Sequence, residues 1–372
     1  MPRRLAPRIA FLLPFLAACS ASQDREYDFV AFDRAVEDFL LAQGLTGATA
    51  AIVHEDDGVV HLQGYGAFDP HRVVLLASTG KILSAGVLLR LADDGLLDLD
   101  ASIATVLGPS WGEYKTDVTV AQMLSNSAGM VGLIDDPTYL PYVCQFLSGG
   151  TLQGCAETIY SVDDEADRVP PDTAFRYGGG QWQLAGGIAE VVSGKSWAQL
   201  VHEIYVEPCG LTSTGFNNHF LRALLETEDQ TLRYPMFFDG DLTALDPTVN
   251  PNIEGGAYST AADYAEILQM HLRDGQCGDT RVLSPMAVAR MQQDRIGAVY
   301  GGSTPDPAMP GYGFGWWVSR TEPLVADPGA YGAIAWLDLE RRYGVVLLVE
   351  SSGQGFTFMQ QAQPIVAAAF DG

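Results

Sequence analysis

Strand-type sequence lies at both ends of this 372-residue chain, and helical patterns fill most of the interval between. Ala48 to Gly66 holds two β-type runs around Asp57-Gly58, a dipeptide that favours a tight hairpin. Tyr312–Val318, Ala333–Asp338 and Gly344–Glu350 read as strands near the other end. Phe29, Phe32, Val36, Phe39 and Leu40 share one helical face before the hairpin. A long helix is expected from near Ser78 through Lys81, Leu83, Val87, Leu88 and Leu91 to Gly95. Further helices are expected at Val120–Leu124, Trp182–Ser193, Ala261–Arg273, Pro285–Gln293 and Phe358–Phe370. This order suggests an α/β chain of the α+β type. One sheet is built from both termini, with flanking helices and an inserted helical lobe.

Charge narrows the partners. The chain has 46 Asp and Glu against 21 Lys and Arg, a formal net charge of −25, which argues against nucleic acid and anionic lipid surfaces as partners. At 47% apolar residues it can bury a large core, so general disorder is excluded as well. No Pro/Ser-rich linker or internal repeat divides residues 27–372, which are read as one domain with two lobes.

The N-terminus reads as an address. Arg3, Arg4 and Arg8 precede a short apolar run, Ile9 to Ala18, too short for the roughly 20 residues of a membrane span. Leu16-Ala17-Ala18-Cys19 resembles the lipobox of bacterial lipoproteins. The expectation is a signal peptide over 1–18, lipidation at Cys19 and a polar tether over 19–26. Ser20 after the cysteine favours retention at the periplasmic side of the outer membrane, and that lipid is the single membrane contact expected. Four cysteines remain, Cys144, Cys155, Cys209 and Cys277, which allow three pairings. Cys144–Cys155 with Cys209–Cys277 is favoured, because the first pair is close in sequence and lies in one loop-like insertion. No CxxC is present to suggest a thiol redox site or zinc ribbon.

The chemistry centres on Ser78-Thr79-Gly80-Lys81. Residues three apart share a helical face, so the lysine ammonium can approach the serine hydroxyl. A serine hydroxyl needs an adjacent base to become a useful nucleophile. Lysine serves as that base only if its pKa falls, and burial and the helix dipole are both expected to lower it. The Ser78 backbone N–H can also donate to an oxyanion. With only three lysines in the chain (Lys81, Lys115, Lys195), the apolar helix after Lys81 is what gives this short motif weight.

The run from Val74 to Asp100 around Ser78 and Lys81 resembles the first motif of the serine β-lactamase and penicillin-binding-protein superfamily, and within it the class C β-lactamase, D-aminopeptidase and family VIII esterase branch. The likeness continues in Thr119–Gly129 ("TVAQMLSNSAG"), Glu254–Asp263 ("EGGAYSTAAD"), Val282–Pro285 and Gly311–Trp317, in order along the chain. It implies a β-lactamase/DD-peptidase-like fold and an acyl-enzyme mechanism that needs no metal or organic cofactor. Tyr177-Gly178-Gly179 stands where the family has Tyr-x-Asn, so Tyr177 is the implied proton relay, while Gly179 lacks the amide that holds a substrate. Asp327-Pro328-Gly329 stands where the family has Lys-Thr-Gly or His-x-Gly. Ala330 is then the second oxyanion donor, and Asp327 and Tyr331 are candidate substrate contacts. An anionic Asp327 would repel the carboxylate that lactam and peptide substrates carry, unless Arg176 or another arginine compensates.

This departure favours a carboxylesterase acting on small esters over a β-lactamase or a D-stereospecific peptidase. A catalytically silent envelope protein that binds cell-wall peptides or a protein partner is the reading from another class; its mark would be loss of Ser78, Lys81 or Tyr177. A Ser-His-Asp hydrolase lacks its GxSxG elbow, and the six histidines show no metal-ligand spacing such as HExxH.

Overall fold

Strand β1 (Gly47–His54) joins the two ends of the chain. On one side it pairs with β2 (Gly58–Gly66), and on the other with β7 (Tyr343–Val349), antiparallel in both cases, with Ala48 opposite Val349 and Val53 opposite Gly344. Beyond β7 lie β6 (Ile334–Asp338), β5 (Leu324–Pro328), β4 (Trp317–Val318) and β3 (Gly311–Tyr312). The seven-stranded order is therefore β2-β1-β7-β6-β5-β4-β3. The computed structural model describes residues 26–371 apart from 113, 134, 137, 138 and 229–231. The expected signal peptide, Cys19 and all of the tether except Glu26 lie outside the described residues.

Both faces of the sheet are covered, and β1 is buried along its whole length. Its side chains alternate between two cores, as the period-two geometry of a strand requires. Ala48, Ala50 and Ile52 join Phe32, Val36 and Phe39 of α1 (Val30–Gln43) and Phe358, Met359 and Val366 of α5 (Gly355–Asp371). Ala51 and Val53 instead join the larger core around α2 (Lys81–Asp93) and α4 (Ala261–Leu272). Helix α2 is apolar on nearly every side because helices and sheet surround it, the pattern of a fully enclosed helix. Gly86 on α2 leaves room for Tyr205, whose hydroxyl would lie 1.9 Å from a Cβ there and donates to the Leu83 carbonyl. An interior glycine costs a helix about 1 kcal/mol relative to alanine, and here it permits that approach.

Two features depart from the sequence reading. Tyr312–Val318 is not one strand: it breaks into β3 and β4 around Gly315, whose φ is +85°. Leu324–Pro328, which the sequence reading did not include among its strands, is a strand; its proline sits at the end, where a missing N–H costs no ladder bond. The middle of the chain also contributes a small antiparallel sheet of Val74–Leu75, Ala257–Ser259 and Gly215–Phe216. The disulfides are Cys144–Cys155 and Cys209–Cys277, the favoured pairing. Among the described residues no helix is long and apolar enough to cross a membrane.

Candidate active site

Ser78 sits on a 3₁₀ turn, Ala77–Gly80, that runs directly into α2. The small sheet fixes its approach, with Val74 paired to Ser259 and the Leu76 N–H donating to the Ala257 carbonyl at 2.8 Å. Ala77, just before the serine, has φ +49°, a left-handed conformation that residues bearing a Cβ rarely adopt. Such strain costs on the order of 1–3 kcal/mol and persists where the surrounding structure imposes it. Ser78 remains partly open to solvent between buried neighbours.

Lys81 follows one turn later with its side chain wholly buried. Its Nζ donates to Ser78 Oγ at 3.0 Å, to the Glu254 carbonyl at 3.0 Å and to Glu254 Oε2 at 3.3 Å. The ammonium also lies 4.6 Å from the Tyr177 ring centre and 5.8 Å from that of Trp182. Burial pulls the lysine pKa down as expected, but the Tyr177 oxygen and the Glu254 carboxylate beside it outweigh that pull, and the net shift is upward. The expected lowering is therefore corrected: a helix-level argument cannot see carboxyl groups that arrive from elsewhere in the fold.

Tyr177 precedes α3 (Gly179–Ser193), and its phenol lies beside Ser78 and Lys81, near enough to interact electrostatically with both. Burial raises its pKa, with Lys81 opposing, so it is held as a neutral phenol. Asn126 secures this segment. Its Oδ1 accepts from Gln181 Nε2 at 2.9 Å and Trp182 Nε1 at 3.1 Å, and its carbonyl accepts from the Arg176 N–H. Asn126 adopts φ +53°, which asparagine tolerates better than most residues. The sequence reading included it in a motif but gave it no role.

Gly179 is buried with no room for a side chain. A Cβ there would lie 2.0 Å from Gln145 Oε1 and 2.1 Å from Glu254 Oε1. Glu254, also unassigned from sequence, thus fills the space beside Lys81 that a side chain at 179 would need. The signal available was the carboxylate opening "EGGAYSTAAD", but its partner Lys81 is 173 residues away.

Asp327 lies on β5 and is completely buried, and neither carboxyl oxygen has a hydrogen-bond partner. Burial pushes its pKa well above the usual carboxylate range, against the pull of Lys81, so it is a neutral acid. The expected anionic repulsion is corrected accordingly. Arg176, which could have compensated for such repulsion, is engaged elsewhere, and so is Arg295. Arg176 is tied to Asp135 and to the carbonyls of Gly129 and Asp167, and Arg295 is tied to Asp172.

After β5 the chain turns tightly against the nucleophile. A Cβ on Gly329 would meet the Leu76 carbonyl at 2.2 Å and Thr79 Oγ1 at 2.6 Å. The turn's backbone bonds use the N–H groups of Gly329 and Gly332 and do not include that of Ala330, which is exposed beside this contact. Tyr331, expected to face substrate, instead points inward. It is fully buried among Phe220, Tyr234 and His219, and its hydroxyl lies 3.1 Å from His219 Nε2. Burial holds the His219 imidazole down to about 3, so it is neutral. Among the described residues no cluster of three His, Cys, Asp or Glu side chains is placed to hold a metal.

Known proteins share this arrangement of chain and fold. Penicillin-binding protein 4 of Amycolatopsis lactamdurans is 30% identical over 331 residues, 82% of this chain and 81% of its own. Lovastatin esterase of Penicillium rubens is 24% identical over 254 residues, 60% of each chain. The structure of EstCE1, a hydrolase with promiscuous acyltransferase activity, superposes with a TM-score of 0.68 at 19% identity, covering 91% of this chain and 97% of the other. The fold is the antiparallel sheet with flanking helices that these proteins share. The Beta-lactamase family model matches residues 32–369, the span that carries the Ser78–Lys81 turn, Tyr177 and the β5 strand, and the chain belongs to that family of serine hydrolases.

Proposed function

We propose that the protein is a carboxylesterase for small esters that works through an acyl-enzyme on Ser78. The observation that carries this reading is the Lys81 Nζ to Ser78 Oγ contact of 3.0 Å beneath Tyr177. The choice of ester over lactam or peptide rests on the third motif, where a neutral, sealed Asp327 takes the place of the cation that would attract a substrate carboxylate.

Because the net shift of Lys81 is upward, the reaction runs from the minority of molecules in which Lys81 has lost its proton, a share that grows with pH. The free amine accepts the Ser78 hydroxyl proton as Oγ bonds to the acyl carbon. The N–H groups of Ser78 and Ala330 hold the resulting oxyanion, each such donor being worth roughly 3–4 kcal/mol at the barrier. The oxyanion then collapses, the alcohol leaves, and the proton on Lys81 reaches it through Tyr177. Water attacks the acyl-enzyme by the same route in reverse, which frees the acid and restores Ser78.

The test compares a short-chain p-nitrophenyl ester with a chromogenic cephalosporin for wild type, Ser78→Ala and Lys81→Ala. Ester turnover abolished by both substitutions, with little cephalosporin cleavage, is the expected result. Rapid cephalosporin cleavage would overturn the ester preference. No turnover and no labelling of Ser78 by a fluorophosphonate would overturn the enzyme reading and favour a silent envelope binding protein.

The same proposal places the protein on the periplasmic side of the outer membrane through a lipid on Cys19, on the strength of the Leu-Ala-Ala-Cys motif. Radiolabelled palmitate incorporated by wild type but not by Cys19→Ala is the expected result; equal incorporation would remove this part.

A further inference from the structure

The departure from the family's second motif, at Gly179, lies directly against Glu254. Residue 179 is glycine where the second motif places an asparagine, and the carboxylate of Glu254 fills the volume that a side chain there would need. Glu254 arrives from the segment leading into the Ala257–Ser259 strand, whose pairing with Val74–Leu75 sets it beside the nucleophile turn. Its side chain is 6% exposed and that of Lys81 is 0% exposed, so the two charges face each other out of water.

The groups facing Lys81 come from four elements. Ser78 lies on the nucleophile turn, Tyr177 on the segment before α3, Glu254 before the small sheet, and Asp327 on β5. Tyr312 and Tyr264 stand one step behind, coupled to Tyr177 and Asp327. The phenols and the Asp327 carboxyl are held in their neutral forms, chiefly by burial. Glu254 is the carboxylate in ion-pair contact with Lys81.

We propose that Glu254 is a positioning residue of the Ser78–Lys81 pair, standing in for the missing side chain of residue 179 and serving as the counter-ion of the lysine through the reaction. It acts as the third member of a Ser–Lys–Glu series. When Lys81 takes the Ser78 proton it becomes an ammonium, and the carboxylate stabilises that charge while fixing the direction of Nζ. The logic is that of the acid behind histidine in a serine triad: the third group orients the base and stays ionised. Glu254 does not touch substrate in this scheme and acts only through Lys81.

The inference rests on the acyl-enzyme reading of Ser78, and its test separates the two. The readout is the pH dependence of Ser78 labelling by a fluorophosphonate and of kcat/KM for a p-nitrophenyl ester, in the full chain. Both should rise with pH as Lys81 loses its proton. An opposite charge raises a lysine, so Glu254→Gln should move that rise to lower pH by about 1–3 units. It should also lower the plateau of kcat/KM by roughly 10²–10⁴, the range for a group that supports proton transfer. Glu254→Ala provides the same readout should the glutamine variant fail to fold. A lower plateau with the rise unmoved would overturn the inference, because loss of packing alone predicts that pattern. Wild type that neither labels nor turns over would overturn the acyl-enzyme reading itself.

Discussion

Asp327 and Lys81 are both wholly buried and influence each other electrostatically, with no hydrogen bond between them. Both Asp327 oxygens are buried without partners, while the lysine directs its donors to Ser78 and to Glu254. Two carboxyl groups are therefore buried near one ammonium, and contact with it separates their roles. Glu254 lies within 3.3 Å of the charge and pairs with it, whereas Asp327 keeps its proton. The third motif thus presents a neutral acid, and the site loses a cation without gaining an anion.

That protonation has a stability consequence whose sign follows from linkage. In the unfolded chain Asp327 ionises near an ordinary aspartate pKa of about 3.9. Folded, burial holds the proton to much higher pH, with Lys81 only partly opposing it. Below the unfolded value both states are protonated and nothing changes. Above it the folded state retains a proton the unfolded state has lost, so this group lowers stability as pH rises toward its folded pKa. Asp327→Asn has nothing to ionise. Its melting temperature should exceed that of wild type by a margin that widens from pH 4 to pH 8; a constant or shrinking margin would contradict the neutral-acid assignment.

Removing the lysine should expose the other carboxyl. Lys81→Met leaves Glu254 buried without its ion-pair partner, and breaking one side of such a pair costs roughly 3–5 kcal/mol. Urea unfolding at pH 7 should show that loss, and Lys81→Met/Glu254→Gln should recover most of it. Both variants should be inactive on esters. A double variant as unstable as the single one would mean that the pair is not coupled as its geometry requires.

What was legible in the sequence followed how far apart the interacting residues lie. Ser78 and Lys81 could be matched because three residues on one turn determine their contact, and β1 and β7 because apolar runs mark buried strands. Strand β5 was not among the strands read from sequence, because a short run ending in Asp-Pro carries little strand signal and its pairing with Ile334–Asp338 is a tertiary fact. Tyr331 turned inward because His219, 112 residues away, offers its ring nitrogen in a closed aromatic cluster. The lysine pKa was misjudged for the same reason: burial could be anticipated from the apolar helix, but Glu254 could not.

The two disulfides should differ in their effect on stability. Cys209–Cys277 closes 68 residues and Cys144–Cys155 only 11. Loop-closure entropy assigns the longer bridge about 4 kcal/mol and the shorter about 3 kcal/mol. Cys209→Ser/Cys277→Ser should therefore lower the urea midpoint more than Cys144→Ser/Cys155→Ser. The reverse order would mean that the shorter bridge holds native structure beyond its loop.

The turn after β5 offers a test of the oxyanion assignment that leaves Ser78, Lys81 and Tyr177 intact. A methyl on Gly329 would lie 2.2 Å from the Leu76 carbonyl and 2.6 Å from Thr79 Oγ1, closer than real contacts allow. Backbone must therefore move, and the adjoining Ala330 N–H moves with it. Gly329→Ala should lower kcat on esters by about 10²–10³, the loss seen when one oxyanion donor is removed. KM should change little, because the donor acts on charge that develops in the transition state. The comparison is steady-state kinetics beside a melting curve, so that loss of fold is seen separately. A folded Gly329→Ala variant with wild-type kcat would remove Ala330 from the oxyanion site and require the second donor to come from elsewhere.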